Sequence, residues 1–552
     1  MPVYKVRVDW LKEAINSVRD QLYPYWELCI AEDCSNDIHI TSLLKKYAAI
    51  DPRIKVVFHK KRTHISAASN SAAAMATGEW IALLDHDDLL DSTALWHAAN
   101  TINSNPTAEI IYSDEDKIDE SGTHRHGPYF KYDFNIDLFY SHNMITHLGI
   151  YKSKTFRKIG GFREGFEGSQ DYDLVLRFLD EITPSQIIHI PRILYHWRAH
   201  QNSTAQTIDN KSYAITATLR AINEHFQRQG IKATSKYDIN KQHTCYHLPD
   251  PLPLVSIIIP TCNQHLFLRQ CLKSIYNKTA YSNFEVIVVD NNSDDAKSLA
   301  YLETIKIKYP NLRLTRDKTA PFNYSRINNN AILHAKGEYF CFLNDDTRVI
   351  NKEWLHEMMG MAIQPKIGAV GARLWYKNDT LQHAGVIMGI GNIAGHKNLH
   401  RRINGHHNNH QFFAIHVQHA VSAVTGACMV ISKECFLKVG GFDDENTPVG
   451  FSDTDLCLRI LESGYRNVWT PYANLYHYES QTRGPETATK EKWATFEQAT
   501  QYIRRRWKDI IEKDPNYNPN LTLDNHSHEL ARPPRLSWIS SSECYTKQNY
   551  KE

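Results

Sequence analysis

Leu254-Val255-Ser256-Ile257-Ile258-Ile259-Pro260 is a short, continuous apolar run closed by proline. That is the pattern of a strand buried on both faces. A helical stretch follows at about 266–277. Phe284-Glu285-Val286-Ile287-Val288-Val289-Asp290 is then a second buried strand, ending in a carboxylate. Another helix is predicted over about 296–308. Tyr339-Phe340-Cys341-Phe342-Leu343 is a third apolar run, leading into Asn344-Asp345-Asp346. This alternation of strands and helices predicts a parallel sheet with right-handed crossovers. Ligands bind such sheets beyond the carboxyl ends of the strands, where Asp290 and Asp346 both fall.

Working outward, the same constellation occurs earlier in the chain. Trp26-Glu27-Leu28-Cys29-Ile30-Ala31-Glu32 matches the strand ending in Asp290. Ile81-Ala82-Leu83-Leu84 matches the strand before Asp346 and leads into Asp85-His86-Asp87-Asp88. Glu32 and Asp87 are 55 residues apart; Asp290 and Asp346 are 56 apart. Asn70 precedes Gly78 by eight residues, as Asn329 precedes Gly337. Each copy then carries Gly-Gly-Phe (160–162, 440–442), two acids before a Leu (Asp171 and Asp173, Asp453 and Asp455), an arginine (Arg177, Arg459) and a late histidine after tyrosine (His196, His477). Such internal repetition predicts two similar units with two similar sites.

The fold class expected is α/β, with two Rossmann-like nucleotide-binding lobes in tandem. They span 1–205 and 251–510 and are joined by a helical linker, 206–250, that runs into the Pro-rich stretch 247–253. The polar tail, 511–552, is expected to drape or fray. Pro2-Val3-Tyr4 aligns with Pro260-Thr261-Cys262. The first copy therefore lacks its opening strand: either the start is truncated or another segment completes that sheet.

Bulk properties exclude several classes. A net charge of +2 gives no argument for nucleic acid. No run of about 20 apolar residues marks a membrane span, and the charged start is no secretory signal. Ten cysteines without a C-x-x-C, several within apolar runs, read as reduced core thiols of a cytoplasmic protein. The turn after Leu254–Ile259 has no G-x-G-x-x-G, which argues against a dinucleotide oxidoreductase.

Acids at a strand end can hold a hard divalent cation that bridges phosphate oxygens. Asp85, Asp87 and Asp88 fit in the first copy, and Asp345 and Asp346 in the second. The acid pairs each open a helix, where the dipole favours negative charge. N-capping explains one acid of each pair, and the other is free to act as a general base. Histidines at matched offsets in both copies, His196 and His477, suit a third ligand, since imidazole with carboxylates favours Mn²⁺ or a similar ion. The His-rich segment 383–419 has no counterpart in the first copy and reads as an acceptor-facing loop rather than a zinc site, because it lacks cysteine partners. Arg504-Arg505-Arg506 reads as a solvated helix face, with peripheral contact to anionic lipid as the sharper alternative.

Taken together, Val255–Thr261, Val289-Asp290-Asn291-Asn292-Ser293, Leu343–Asp346 and Phe451–Arg459 resemble family 2 glycosyltransferases with the GT-A fold. Pro321-Phe322-Asn323-Tyr324-Ser325, Gln382-His383-Ala384-Gly385-Val386 and His477-Tyr478-Glu479-Ser480 resemble the tandem bacterial enzymes of O-antigen and rhamnan synthesis. The resemblance covers about 2–200 and 252–485. It implies a bifunctional inverting glycosyltransferase that moves sugars, rhamnose by preference, from dTDP- or UDP-linked donors to a lipid-linked surface polysaccharide at the inner membrane face. By that resemblance Asp171 and Asp453 are the catalytic bases. Asp87 with His196, and Asp346 with His477, hold Mn²⁺ or Mg²⁺. The donor is bound by Glu32, Asp33, Asn70, Asp85 and Arg177 in the first lobe, and by Asp290, Asn329, Asn344, Asp345 and Arg459 in the second. Two departures stand out. Glu32 replaces the usual strand-end Asp, with Asp33 beside it as a substitute, and Asn344 stands at the first acidic position. The alternative is that only the second lobe catalyses and the first is a glycan- or nucleotide-binding scaffold.

Overall fold

The computed structural model describes residues 1–200, 212–238, 241–403, 410–479, 489–526 and 528–536. The second lobe is built on a ten-stranded sheet. Val255–Thr261 lies at its centre, parallel to Phe284–Asn291 on one side and to Tyr339–Leu343 on the other. Leu312–Asp317 extends the parallel part outward from Phe284–Asn291. Beyond Tyr339–Leu343 the sheet turns antiparallel through Cys428–Ser432. It continues through Ile367–Trp375 and Arg466–His477, which are mutually parallel, to Thr347–Val349. Ile257, Ile258, Ile259, Val286 and Val288 are fully buried, as expected of runs covered by helices on both faces.

In the first lobe the same order is split. Pro2–Val3, Leu28–Glu32 and Ile54–Phe58 form a three-stranded sheet. Trp80–Ala82, Gly149–Lys152, Ile110–Ile118, Ile187–Arg198 and Leu89–Leu90, with Arg125–Tyr129, form a separate six-stranded one. The break falls where the counterpart of Val255–Ile259 would join them. Only its last two residues are represented. Pro2 pairs with Ala31 and Val3 with Glu32, as Pro260 pairs with Val289 and Thr261 with Asp290.

The segment read as a helical linker is more than that. Its helix, Ser212–Gln229, packs on Gln170–Phe178 and contributes Ala221, Ile222 and Phe226 to the first lobe's core. The hairpin Ala233–Asp238/Lys241–Tyr246 that follows was not expected from the sequence. It seals the lobes together: Thr244 donates to the Tyr140 carbonyl, while His243 pairs with Glu357 and stacks on Tyr472.

Of the two expectations for the tail, draping or fraying, the described residues 512–526 and 528–536 follow the first. Asp514 accepts from Ser422 Oγ and from the Met388 amide of the second lobe. The Asn518 amide donates to Asp114 and to the Lys131 carbonyl of the first. The tail is thus wedged between the lobes because its Asn and Asp side chains satisfy otherwise buried polar groups. Residues 537–552 lie outside the described residues. No described helix is long and apolar enough to cross a membrane. Arg504, Arg505 and Arg506 are exposed, and Arg506 pairs with Glu462. The nine cysteines in the described residues are free, and five are buried.

Candidate active sites at the strand ends

Each acid pair divides its labour by helical geometry, since positions two apart face different ways. Asp173 and Asp455 are fully buried. Asp173 accepts from Arg177 Nε at 2.9 Å and also binds Arg163. Asp455 accepts from Arg459 Nε at 2.7 Å and from the Trp507 indole at 2.9 Å. Asp171 lines the first-lobe cleft, and Asp453 is partly exposed and takes backbone amides in place of an arginine. Asp171 accepts from Asn143 Nδ2 at 2.8 Å. Asp453 accepts from the Gly426 amide at 2.8 Å and the Thr454 amide at 2.7 Å. Burial pushes the Asp171 carboxyl above its ordinary value, against the pull of His147. A raised carboxylate held by few donors is what a general base needs.

Four residues expected to bind donor have structural work instead. Arg177 donates Nη1 to the Ile159 carbonyl and Nη2 to the Gly161 carbonyl, and Arg459 donates Nη1 to the Val439 carbonyl. Both guanidinium groups therefore tie the acid-bearing helix to the Gly-Gly-Phe turn. Asn70 clamps the Phe162 backbone from both sides, N–H to Oδ1 and Nδ2 to C=O, each at 2.8 Å. Asn329 does the same to Phe442, at 3.0 and 2.8 Å. The second glycine of each turn is required for this clamp. Gly161 and Gly441 sit at φ +67° and +69°, and a Cβ would lie 2.5 and 2.8 Å from the clamping Oδ1. Asp33 is likewise committed: its Oδ1 accepts from the Thr63 amide at 2.7 Å and its Oδ2 from the His64 amide at 2.9 Å. It cannot stand in for Glu32, which caps the Ser35 amide at 2.6 Å.

In the second lobe Asp290 is buried at its strand end. It pairs with Arg316 Nε at 3.0 Å, a residue that sequence analysis passed over. Asp345 accepts from Thr261 Oγ1 at 2.7 Å. Asp346 Oδ1 is buried with no hydrogen-bond donor, and His477 Nε2 lies 3.2 Å from it. The tautomer of His477 follows from its other partner. Gln382 donates Nε2 to Glu479, so its Oε1 faces His477 Nδ1, at 2.7 Å, and accepts the N–H. The Nε2 lone pair therefore faces a carboxylate oxygen, with Asn344 Nδ2 3.3 Å away. Two electron-rich atoms aimed at one another fit a shared cation, with Gln382 fixing the imidazole as outer partners of metal-bound histidines do. Asp346 and His477 would hold such an ion, with Asn344 beside them.

The first lobe differs, and strand register explains why. Leu89 pairs with His196 and Leu90 with Tyr195, while Arg348 pairs with Tyr476 and Val349 with Leu475. His196 is thus the counterpart of Tyr476, and Trp197 that of His477. The matched Tyr-His dipeptides are offset by one residue, which turns a side chain to the opposite face. His196 accordingly binds Asp116, at 2.5 Å, and is not paired with Asp87. Asp87 meets His200 instead, Nε2 to Oδ2 at 3.1 Å, much as Asp346 meets His477. Pro191 and Pro471, at equivalent places in the same two strands, give the correct alignment without a gap. Asp85, Asp88 and His147 form a further group with one ligand atom each within 4.8 Å of the others. Asp85, His147 and Asp171 line one cleft of about 1590 Å³, while Asp88 is buried. That exceeds the roughly 300–1,000 Å³ of a single small-molecule site, so a donor and an acceptor end fit together.

With fold and sites described, comparison with known proteins identifies the class. The glycosyl transferase family 2 profile matches residues 1–160 and 256–431, and the chain belongs to that family of transferases. The paired α/β lobes are tandem domains of the GT-A type. A second profile, "N-terminal domain of galactosyltransferase", matches 406–481. The chain is 46% identical over 535 residues to the uncharacterized protein y4gI of Sinorhizobium fredii, covering 97% of this chain and 58% of that protein. It is 35% identical over 535 residues to the O-antigen biosynthesis protein RfbC of Myxococcus xanthus, covering 97% of this chain and 41% of that protein. The chain thus spans about half the length of these relatives. Among solved structures, a mannosyltransferase from Pyrobaculum calidifontis in complex with GDP-Man and Mn²⁺ is similar, at 17% identity and a TM-score of 0.33 over 48% of this chain and 75% of that one.

Proposed function

We propose that the chain is a bifunctional inverting glycosyltransferase that extends a bacterial surface polysaccharide, with one transfer site in each lobe. The observation that carries this is the repeated split of the acid pair. Asp171 lines the first-lobe cleft and Asp453 is partly exposed, while Asp173 and Asp455 are locked on arginines. In the second lobe Asp290 receives the nucleoside of a nucleotide-sugar donor, and Asp345 stays oriented by Thr261. A divalent ion, Mn²⁺ or Mg²⁺, would be held by Asp346 and His477, and by Asp87 and His200 in the first lobe. When bound, it supplies charge neutralisation for a diphosphate leaving group. Asp453 and Asp171 accept the proton of the acceptor hydroxyl as it attacks the anomeric carbon. The likeness to an O-antigen biosynthesis protein supports a polysaccharide acceptor. This reading takes that acceptor to be lipid-linked at the inner membrane face. A dTDP- or UDP-linked deoxyhexose such as rhamnose is the donor this reading favours.

One observation favours a second reading, in which the first lobe binds without turnover. At its strand end stands Glu32, which caps the Ser35 amide at 2.6 Å. Thermal-shift binding against dTDP-, UDP- and GDP-sugars with Mn²⁺ separates the two. A true donor raises the midpoint by mass action. If Asp87→Ala and Asp346→Ala each remove part of the shift, both lobes bind donor. If only Asp346→Ala matters, the first lobe is a scaffold; if no donor shifts the midpoint, the transferase reading fails.

A further inference from the structure

We propose that His396 is an acceptor-binding residue of the second lobe, with His383 as its positioning partner. His396 presents its Nε2–H to an oxygen of the acceptor sugar, beside the hydroxyl that Asp453 deprotonates. The two imidazoles come from short strands of the His-rich segment, Leu381–His383 and Ala394–His396. His383 is fully buried and His396 is partly exposed. Their Nδ1 atoms lie 2.9 Å apart, with the rings nearly perpendicular at 88°.

The hydrogen bonds fix both tautomers. The Thr425 amide donates to His383 Nε2 at 3.4 Å, and a backbone N–H can only donate. The lone pair of His383 is therefore on Nε2 and its proton on Nδ1. That proton is donated to His396 Nδ1, which leaves the proton of His396 on Nε2. Among the described residues nothing accepts from this Nε2–H. Burial lowers both imidazoles below their ordinary value, which favours the neutral forms this chain of bonds requires. The backbone of His396 is held as well. Its carbonyl accepts from His526 Nδ1 at 2.6 Å, and it pairs with Val386 across a hairpin. A donor whose direction is set by its supporting partners is preorganised for recognition.

One stretch of backbone sets this donor beside Asp453. Thr425 holds His383, and the next amide, that of Gly426, holds Asp453 at 2.8 Å. Gln382, which precedes His383, orients His477. The Asp453 carboxylate is the charge felt most strongly at His396, ahead of Glu479 and His477. A base and a neutral N–H side by side match two neighbouring oxygens of one sugar ring. One attacks after Asp453 takes its proton, while the other accepts from His396. The acceptor class is thus a sugar with a free oxygen next to its attacking hydroxyl. A site built to hydrogen-bond such an oxygen rejects analogues that lack it. The proposal rests on the reading of Asp453 as the second-lobe base.

The test is acceptor kinetics of the full chain with the same donor panel, on lipid-diphosphate-linked sugars and their single deoxy analogues, each linkage being followed separately. His396→Ala is expected to raise the acceptor KM for the second-lobe linkage by about three- to tenfold, more than it lowers kcat. His396→Gln keeps an N–H at similar reach and should recover part of that loss. One deoxy analogue should raise KM in wild type by the same factor and have no further effect in His396→Ala. Should alanine fold poorly by circular dichroism, His396→Asn, whose amide stops short of the Nε2 position, replaces it. An unchanged acceptor KM in the folded variant, or His396→Gln no better than alanine, would overturn the proposal while Asp453→Asn still removes the second linkage. If Asp453→Asn spares every linkage, the base assignment falls and the proposal falls with it.

Discussion

Replacing Asp455 by alanine strands a guanidinium. Asp455 is fully buried and accepts from both Arg459 Nε and Trp507 Nε1. Removing one partner of a buried ion pair costs about 3–5 kcal/mol, because the remaining charge is uncompensated. The orphaned indole N–H adds about 1–3 kcal/mol, with overlap between the two effects. About 4 kcal/mol is therefore expected. In a lobe of about 260 residues, 251–510, that lowers the melting midpoint by about 8–16 °C. Asp453→Asn, two residues away, keeps its oxygen toward only one of the Gly426 and Thr454 amides, and with the other unpaired in a partly exposed place it is expected to cost about 1–2 kcal/mol. Two lobes need not melt together. The assay is therefore a thermal scan paired with hydrogen exchange along Ser452–Glu462, which should lose protection only in Asp455→Ala. Equal midpoints for the two variants, or a larger loss for Asp453→Asn, would refute the assignment of one structural and one partly exposed acid.

Three further outcomes are expected. Gln382→Leu frees the His477 tautomer and should weaken second-lobe Mn²⁺ affinity by about 10–100-fold in a titration followed by the free-ion EPR signal. His200→Ala should lower first-lobe transfer and leave folding intact, whereas His196→Ala, which leaves buried Asp116 with Arg125 alone, should act on stability; rates and midpoints separate the two. Burial lowers the Lys397 ammonium, at the lobe interface against Tyr132, from its ordinary 10.5 to about 7. Between those values the unfolded chain binds the extra proton, so stability rises with pH through that window. Wild type should gain about 2 kcal/mol more than Lys397→Met between pH 7 and 9, read from urea midpoints.

The fold was legible where burial dictates composition. Ile257, Ile258, Ile259, Val286, Ile287 and Val288 are buried on both faces, so apolar residues dominate these runs, and the polar pair within them, Ser256 and Glu285, is joined by a hydrogen bond. Asp171, Asp453 and Asp346 were legible because they repeat at fixed distances from such strands. Side-chain facing was harder to read. Asn70, Asn329, Arg177 and Arg459 repeat just as faithfully, yet they serve the Gly-Gly-Phe turn, and repetition alone cannot separate a shared clamp from a shared ligand. The late histidine failed through a one-residue offset in a strand, where period two inverts the outcome. His147 carries no local signal, because its partners approach through tertiary structure alone. Within the His-rich segment, His383 and His396 are joined Nδ1 to Nδ1 at 2.9 Å within the second lobe, whereas 404–409 lie outside the described residues.

The central claim is that each lobe transfers a sugar. The most direct measurement is linkage analysis of the products made by full-length Asp171→Asn, Asp453→Asn and the double variant from one donor panel and a lipid-linked acceptor. Each single variant is expected to lose one linkage by a factor of about 10²–10⁴ while keeping the other, and the double variant to lose both. Full wild-type product from Asp171→Asn would contradict the account and leave the first lobe as a scaffold.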